Sequence, residues 1–187
     1  MKNLKIIHLI CLLLISFVCS SQNEESTTRK FIEGAQLTQI NKDWNLIATF
    51  ESGIGEYVSF YPIEVINLKT NDYIDALQLD MYIKLKNESI FSTKTAWVGL
   101  DEVQEFINFL EKKVIPNLDL TLKKKSIEYV FKAKEMTFSY IVNEKQKRIS
   151  IILNNYEKDG IPNYYFWTET QVSKLPNLLY VLKELQK

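Results

Sequence analysis

Asp101, Glu102 and Glu105 fall within five consecutive positions of LDEVQEFINFL. Paired carboxylates are the device of acid–base hydrolysis, and a glycosidase needs two of them facing across a cleft, roughly 5–10 Å apart. Acidic residues at a helix start are also what the helix dipole favours, so the sequence assigns no catalytic residue there. The segments NDYID (71–75) and EKDG (157–160) carry oxygen ligands. Neither has the dense acidic spacing of a calcium loop, and both read as turns, Asp159-Gly160 strongly so. The only histidine is His8 and the only cysteines are Cys11 and Cys19. From Gln22 onward the chain has neither residue type, which excludes Ser-His-Asp and Cys-His catalysis, zinc sites built on them and structural disulfides. Five glycines leave no room for a Gly-rich phosphate loop. No metal-binding or cofactor-binding residue is expected.

Those three residues lie at or near a segment with the layout of an export signal. Lys2 and Lys5 precede a thirteen-residue, mostly apolar run from Ile6 to Val18, followed by small and polar residues. A membrane-spanning helix needs about 20 apolar residues, so the run reads as a signal peptide, residues 1–21. Cleavage fits after Ser20 or Ser21. Alternatively Cys19 is a lipidation site and becomes the first residue of an anchored protein. Ser16 and Val18 fit the usual lipobox poorly, which favours soluble export, periplasmic or extracellular. Without Lys2 and Lys5 the chain carries 21 basic against 23 acidic residues, so no polyanion-binding field is expected.

The surface candidate is NYEKDGIPNYYFWTET, where Tyr156, Tyr164 and Tyr165 surround a Gly/Pro turn beside Phe166 and Trp167. Flat rings of this kind suit a sugar or a protein partner. Alternation places Tyr165 and Trp167 on one face and Tyr164 and Phe166 on the other, so part of the set belongs to a core. Lys123, Lys124 and Lys125 in LKKKS, near Lys112 and Lys113, read as a solvated linker.

The elements that must position these residues follow from periodicity. Residues 22–30 are polar and read as a flexible tether to a single domain, 31–187. In ALQLDMYIKLK the apolar positions alternate strictly, which means a strand with one buried face. WNLIATFE and YVSFYPIEVI read as strands before it, with Pro62 marking an edge or a bulge. IFSTKTAWV reads as a fourth strand with Phe91, Thr93, Thr95 and Trp97 on one face. Asp101, with Gln104 three residues on, has capping-box spacing, and Val103, Phe106, Ile107, Leu110 and Val114 form a helical stripe that Pro116 ends. IEYVFKA, MTFSYIVN, KRISIILN and NYYFW then repeat the meander. Thr168 reads as a cap, with Trp167 and Val172 as a hydrophobic staple, and the helix restarts with Ser173 as a second cap so that Pro176 falls in a first turn. The fold class is α+β: two successive ββββα units, about 31–116 and 123–187, each an antiparallel meander sheet covered by a helix. How the units pack is left open.

This order of elements resembles the Whirly and PUR-repeat folds, in which paired ββββα units pack together, although the Lys-Gly-Lys-Ala-Ala-Leu stretch of Whirly proteins is absent. The LDEVQEFINFL helix after a meander is also similar to that of uncharacterised exported bacterial proteins. The expectation is an exported, non-enzymatic binding or structural domain of the bacterial cell envelope, taking an envelope protein, peptide or glycan. The alternatives are a carboxylate-dependent, glycosidase-like hydrolase and, by the Whirly resemblance, a single-stranded nucleic-acid binder, which export disfavours. Membrane contact is expected only through a lipid on Cys19.

Overall fold

Strict alternation builds the first sheet. The computed structural model describes residues 25–84, 90–154, 156–158, 161–162 and 164–187. The leader, Cys19, the KNES turn and Asp159-Gly160 lie outside the described residues. Leu77, Leu79, Met81 and Ile83 of β4 (Tyr73–Lys84) are all buried. β4 pairs antiparallel with β3 (Tyr57–Asn67) and β5 (Phe91–Gly99). β1 (Thr38–Lys42) and β2 (Ala48–Glu51) both pair with the far side of β3, giving five strands where the sequence reads four. Pro62 sits at the break between them. Its carbonyl accepts from the Asp43 N–H at 3.2 Å just past the end of β1, so the bond its nitrogen cannot donate falls where the β1 ladder ends. The expected edge at Pro62 is therefore a local edge inside a central strand.

The second sheet is the expected meander with one strand folded back. β6 (Ile127–Lys132), β7 (Met136–Val142) and β8 (Lys147–Leu153) run antiparallel. After a two-residue ladder, β9 (Glu157–Lys158) with β10 (Ile161–Pro162), β11 (Tyr165–Thr168) pairs with β8. Phe138, Tyr140, Ile149, Ile151 and Phe166 form its buried face.

The helices differ from expectation at their caps. α2 (Leu100–Phe109) starts after Gly99 with no side-chain cap, so Asp101 lies in its first turn. The helix continues through a π-helical turn, Leu110–Val114, and a 3-10 turn containing Pro116. α3 (Leu175–Leu185) follows a 3-10 turn, Val172–Lys174, with Pro176 in its first turn as expected, but Ser173 does not cap it. Thr168 is not a cap either: it ends β11 and its hydroxyl donates to the Glu51 carbonyl at 3.0 Å. Trp167 points outward while Val172 is buried, so no staple forms.

Each sheet borrows from the other unit. α3, last in the chain, lies against β2, β3 and β4 of the first sheet and against α2. Phe106 of α2 stacks on Phe131 at 4.6 Å and meets Phe138 edge-on at 5.4 Å, both in the second sheet. One apolar cluster results, drawing on both sheets and both helices.

The stretch expected as a tether is also different. Ser26 caps α1 (Thr27–Gly34), its hydroxyl accepting from the Arg29 N–H at 3.0 Å. Phe31 and Ile32 pack on Tyr61, Ile63, Val65 and Ala76, covering one end of the first sheet's outer face. The polar composition of α1 reflects polar partners, chiefly Glu135. That carboxylate is fully buried and accepts from Arg29 Nε at 2.9 Å and Nη2 at 2.8 Å, from the Trp97 N–H at 3.1 Å, and from the Ser26 N–H and hydroxyl.

Candidate ligand-binding face

Strand register, more than any motif, assembles the candidate site. Because successive side chains alternate, the residues of β2 to β5 that do not enter the core form rows across the outer face. One row reads Thr49, Ser59, Asp80, Thr95, and the row beyond it Glu51, Tyr57, Tyr82, Thr93. On the other side lie Tyr61, Gln78 and Trp97. Adjacent rows stand about 6.8 Å apart along the strands, and the polar row forms the floor of a furrow beside the row of Tyr57 and Tyr82.

Aromatic side chains form the first ridge. Tyr57 stacks on Tyr82 at 5.0 Å, and Tyr82 on Phe91 at 4.9 Å with the rings nearly parallel. Phe91 stays 37% exposed. The second ridge is Trp44, 64% exposed and 5.2 Å from the Tyr61 ring.

The floor is a preset hydrogen-bond network. Asp80 accepts from Thr95 Oγ1 at 2.6 Å, from Gln78 Nε2 at 2.9 Å and from the Tyr61 hydroxyl. Gln78 Nε2 and Lys42 Nζ also donate to the Tyr61 oxygen, at 2.9 and 3.1 Å. Thr49 and Ser59 share a hydroxyl contact of 2.9 Å. Burial, then the hydrogen bond to Asp80, drives the Tyr61 phenol well above its ordinary range. Lys42 Nζ lies 3.8 Å from Asp80 and balances its charge. With both charges matched inside the furrow, the face suits a neutral polar ligand better than an ion.

The three tyrosines of the surface candidate are divided between faces, as the alternation of Tyr164 and Tyr165 predicts. Tyr164 is 5% exposed and its hydroxyl meets Ser92 Oγ at 2.8 Å. Tyr156 is half-buried, lies against Tyr164 at 5.3 Å and donates to the Thr95 carbonyl at 3.1 Å. Both tie the second unit to β5. Tyr165 alone is open, sharing the outer face of the second sheet with Trp167. The cause is the period of two, which sends Tyr164 inward whenever Tyr165 faces out. Arg148 stacks over Trp167 at 4.6 Å and pairs with Glu169 at 2.8 Å.

The acidic cluster also has structural employment. Asp101 accepts from Thr27 Oγ1 and Lys134 Nζ, both at 3.0 Å. Burial works against its charge, but these donors hold its carboxyl below the usual range. Glu102 accepts from the Lys134 N–H at 2.7 Å, and burial pushes its carboxyl up. Lys123, Lys124 and Lys125 lie exposed on the connection between the units.

No family model, curated protein or solved structure matches the chain. The likeness to Whirly and PUR-repeat folds therefore rests on element order alone. The residues of the furrow were outside the sequence candidates. Part of the signal was present: Phe91, Thr93, Thr95 and Trp97 were read on one face. What joins them to Asp80 and Tyr82 is the β4–β5 register, and what joins those to Tyr57 and Tyr61 is the β3–β4 register.

Proposed function

We propose that this chain is an exported, non-catalytic binding domain of the cell envelope that holds a neutral oligosaccharide across the outer face of its first sheet. One observation carries the reading: a charge-balanced floor of hydroxyl, amide and carboxylate groups lies between two ridges of exposed rings. A sugar has the complementary surfaces. Its C–H patches lie on aromatic faces, while its hydroxyls exchange hydrogen bonds with a fixed polar row. The network that holds Asp80, Gln78 and Tyr61 in place lowers the ordering cost of binding. The two-carboxylate hydrolase is less well supported. Asp80 is the floor's carboxylate among the described residues, while Asp101 and Glu135 are bound to basic side chains and Glu102 to the Lys134 backbone.

The test is affinity electrophoresis and calorimetry against a panel of neutral envelope and plant polysaccharides. Phe91→Ala and Trp44→Ala are each expected to weaken binding at least fivefold, in the range of lost ring contacts, and Trp167→Ala on the other sheet to leave it unchanged. A short single-stranded oligonucleotide is the discriminating control, because bases also stack on exposed rings. Salt-sensitive capture of that oligonucleotide, with no polysaccharide retained, overturns the reading.

A further inference from the structure

A notch opens where β5 leaves the first sheet. β4 is paired with β3 as far as Tyr73, but its pairing with β5 stops at Ala76 opposite Gly99. Tyr73, Ile74 and Asp75 thus have a strand on one side only. The chain turns at Gly99 into α2, and α1 crosses nearby. Between them lies a groove of about 460 Å³, its walls mostly apolar, framed by Thr28 and Phe31 of α1, Tyr73 and Asp75 of β4, and Leu100 and Asp101 of α2. That volume is within the range of small-molecule sites, roughly 300–1,000 Å³.

Three features of the groove are unresolved by the protein itself. Asp75 has no cationic or hydrogen-bonding partner among the described residues, and it stands directly opposite Glu64 across the β3–β4 ladder. Facing like charges destabilise a sheet, and burial together with Glu64 raises the Asp75 carboxyl above its ordinary value. Glu64 accepts a neutral amide, from Asn41 Nδ2 at 2.7 Å, so its charge is not cancelled there. Thr28 is 0% exposed, yet its hydroxyl oxygen has no partner. Finally, Tyr73 and Leu100 leave large apolar surfaces open to solvent.

We propose that this notch binds a primary ammonium group carried on an aromatic or aliphatic body. The ammonium pairs with Asp75 and relieves the repulsion from Glu64, and Thr28 Oγ1 accepts one of its N–H groups. The body lies against Phe31, Tyr73 and Leu100. Asp101 adds negative potential at the rim while staying bonded to Lys134 and Thr27. A calcium or magnesium ion is the poorer occupant, because those cations take about six to eight oxygen ligands. The inference stands on residues separate from the saccharide furrow.

Amide-resolved NMR titration of the whole protein tests it, with phenethylammonium chloride as probe and the neutral 2-phenylethanol as its control, at pH 7 and low salt. The expected result is a saturable shift centred on Thr28, Phe31 and Asp75, with the ammonium at least tenfold tighter than the alcohol. Asp75→Asn, which removes a repulsion and so should fold, is expected to abolish that tenfold preference. Thr28→Val is expected to weaken the ammonium severalfold. Equal affinity for the two probes, no saturable shift, or an unchanged preference in Asp75→Asn overturns the proposal.

Discussion

Replacing Arg29 by leucine is the sharpest test of how α1 is held. Glu135 is a buried carboxylate with five donors, two from Arg29, two from Ser26 and one from the Trp97 backbone. Arg29→Leu removes two of those donors and the guanidinium charge that pairs with Glu135. The guanidinium in turn depends on Glu135: burial opposes its charge, but the hydrogen bonds and charge of Glu135 hold its pKa above the ordinary value. Breaking one partner out of a buried pair costs about 3–5 kcal/mol. The Arg29 side chain keeps 15% of its surface in solvent, so water can follow the substitution and the lower end, about 3 kcal/mol, applies. At about 2–4 °C per kcal/mol for a domain of this size, the melting temperature should fall by roughly 6–12 °C. Urea and thermal unfolding of Arg29→Leu, Glu135→Leu and the double variant measure the coupling. The double variant should cost clearly less than the two singles combined, since it leaves no uncompensated charge and orphans only neutral donors. An Arg29→Leu cost below about 1 kcal/mol, or singles that simply add, would refute the claim that this pair is coupled and holds α1 in place.

Three further outcomes follow from the packing. Asp75→Asn should stabilise the protein at pH 7 by about 0.5 kcal/mol, by removing the repulsion from Glu64. Because the native Asp75 carboxyl is raised above its unfolded value, the wild type loses stability as pH rises through that interval; the advantage of Asp75→Asn should therefore vanish in acid, where the Asp75 carboxyl is protonated in both the folded and the unfolded chain, as paired urea curves at neutral and acid pH would show. A methyl group at Gly99 would lie 2.3 Å from Asp101 Oδ1 and 2.4 Å from Thr27 Oγ1. Gly99→Ala should accordingly cost about 1–3 kcal/mol and shift the Thr27 and Asp101 resonances together. Leu182→Ala removes a buried residue of α3 and should cost about 2–5 kcal/mol. Ring signals from Phe60 in the first sheet and Phe138 in the second should melt in one transition, and two separate midpoints would contradict the shared core.

Legibility in the sequence tracked how local each cause was. The β4 alternation, the β6–β8 meander and the placement of Pro176 depend on neighbours a few residues away, and all were readable. α1 was not. Its first half, STTRK, falls in the polar stretch 22–30 that reads as a tether, because the group that makes Arg29 and Ser26 worth burying is Glu135, more than 100 positions on. β1 was missed for a related reason: TQINK is mostly exposed and is held by β3 alone. Asp101 carries the composition of a cap, yet the cap position falls at Gly99, two residues earlier, and the Asp101 side chain is held by Thr27 and Lys134 instead. The furrow depended on two strand registers at once, and period alone does not reveal which rows meet. In the second unit the alternation rule itself separated Tyr164 from Tyr165.

The position of α3 on the first sheet affects how the molecule comes into being. β2, β3 and β4 are complete long before their cover is synthesised, since α3 lies in the second unit, far beyond Lys84 in the chain. The face of the first sheet that α3 covers therefore waits for a contact of very high sequence separation, the kind that slows folding, and strands that pair early keep that apolar face open until the contact forms.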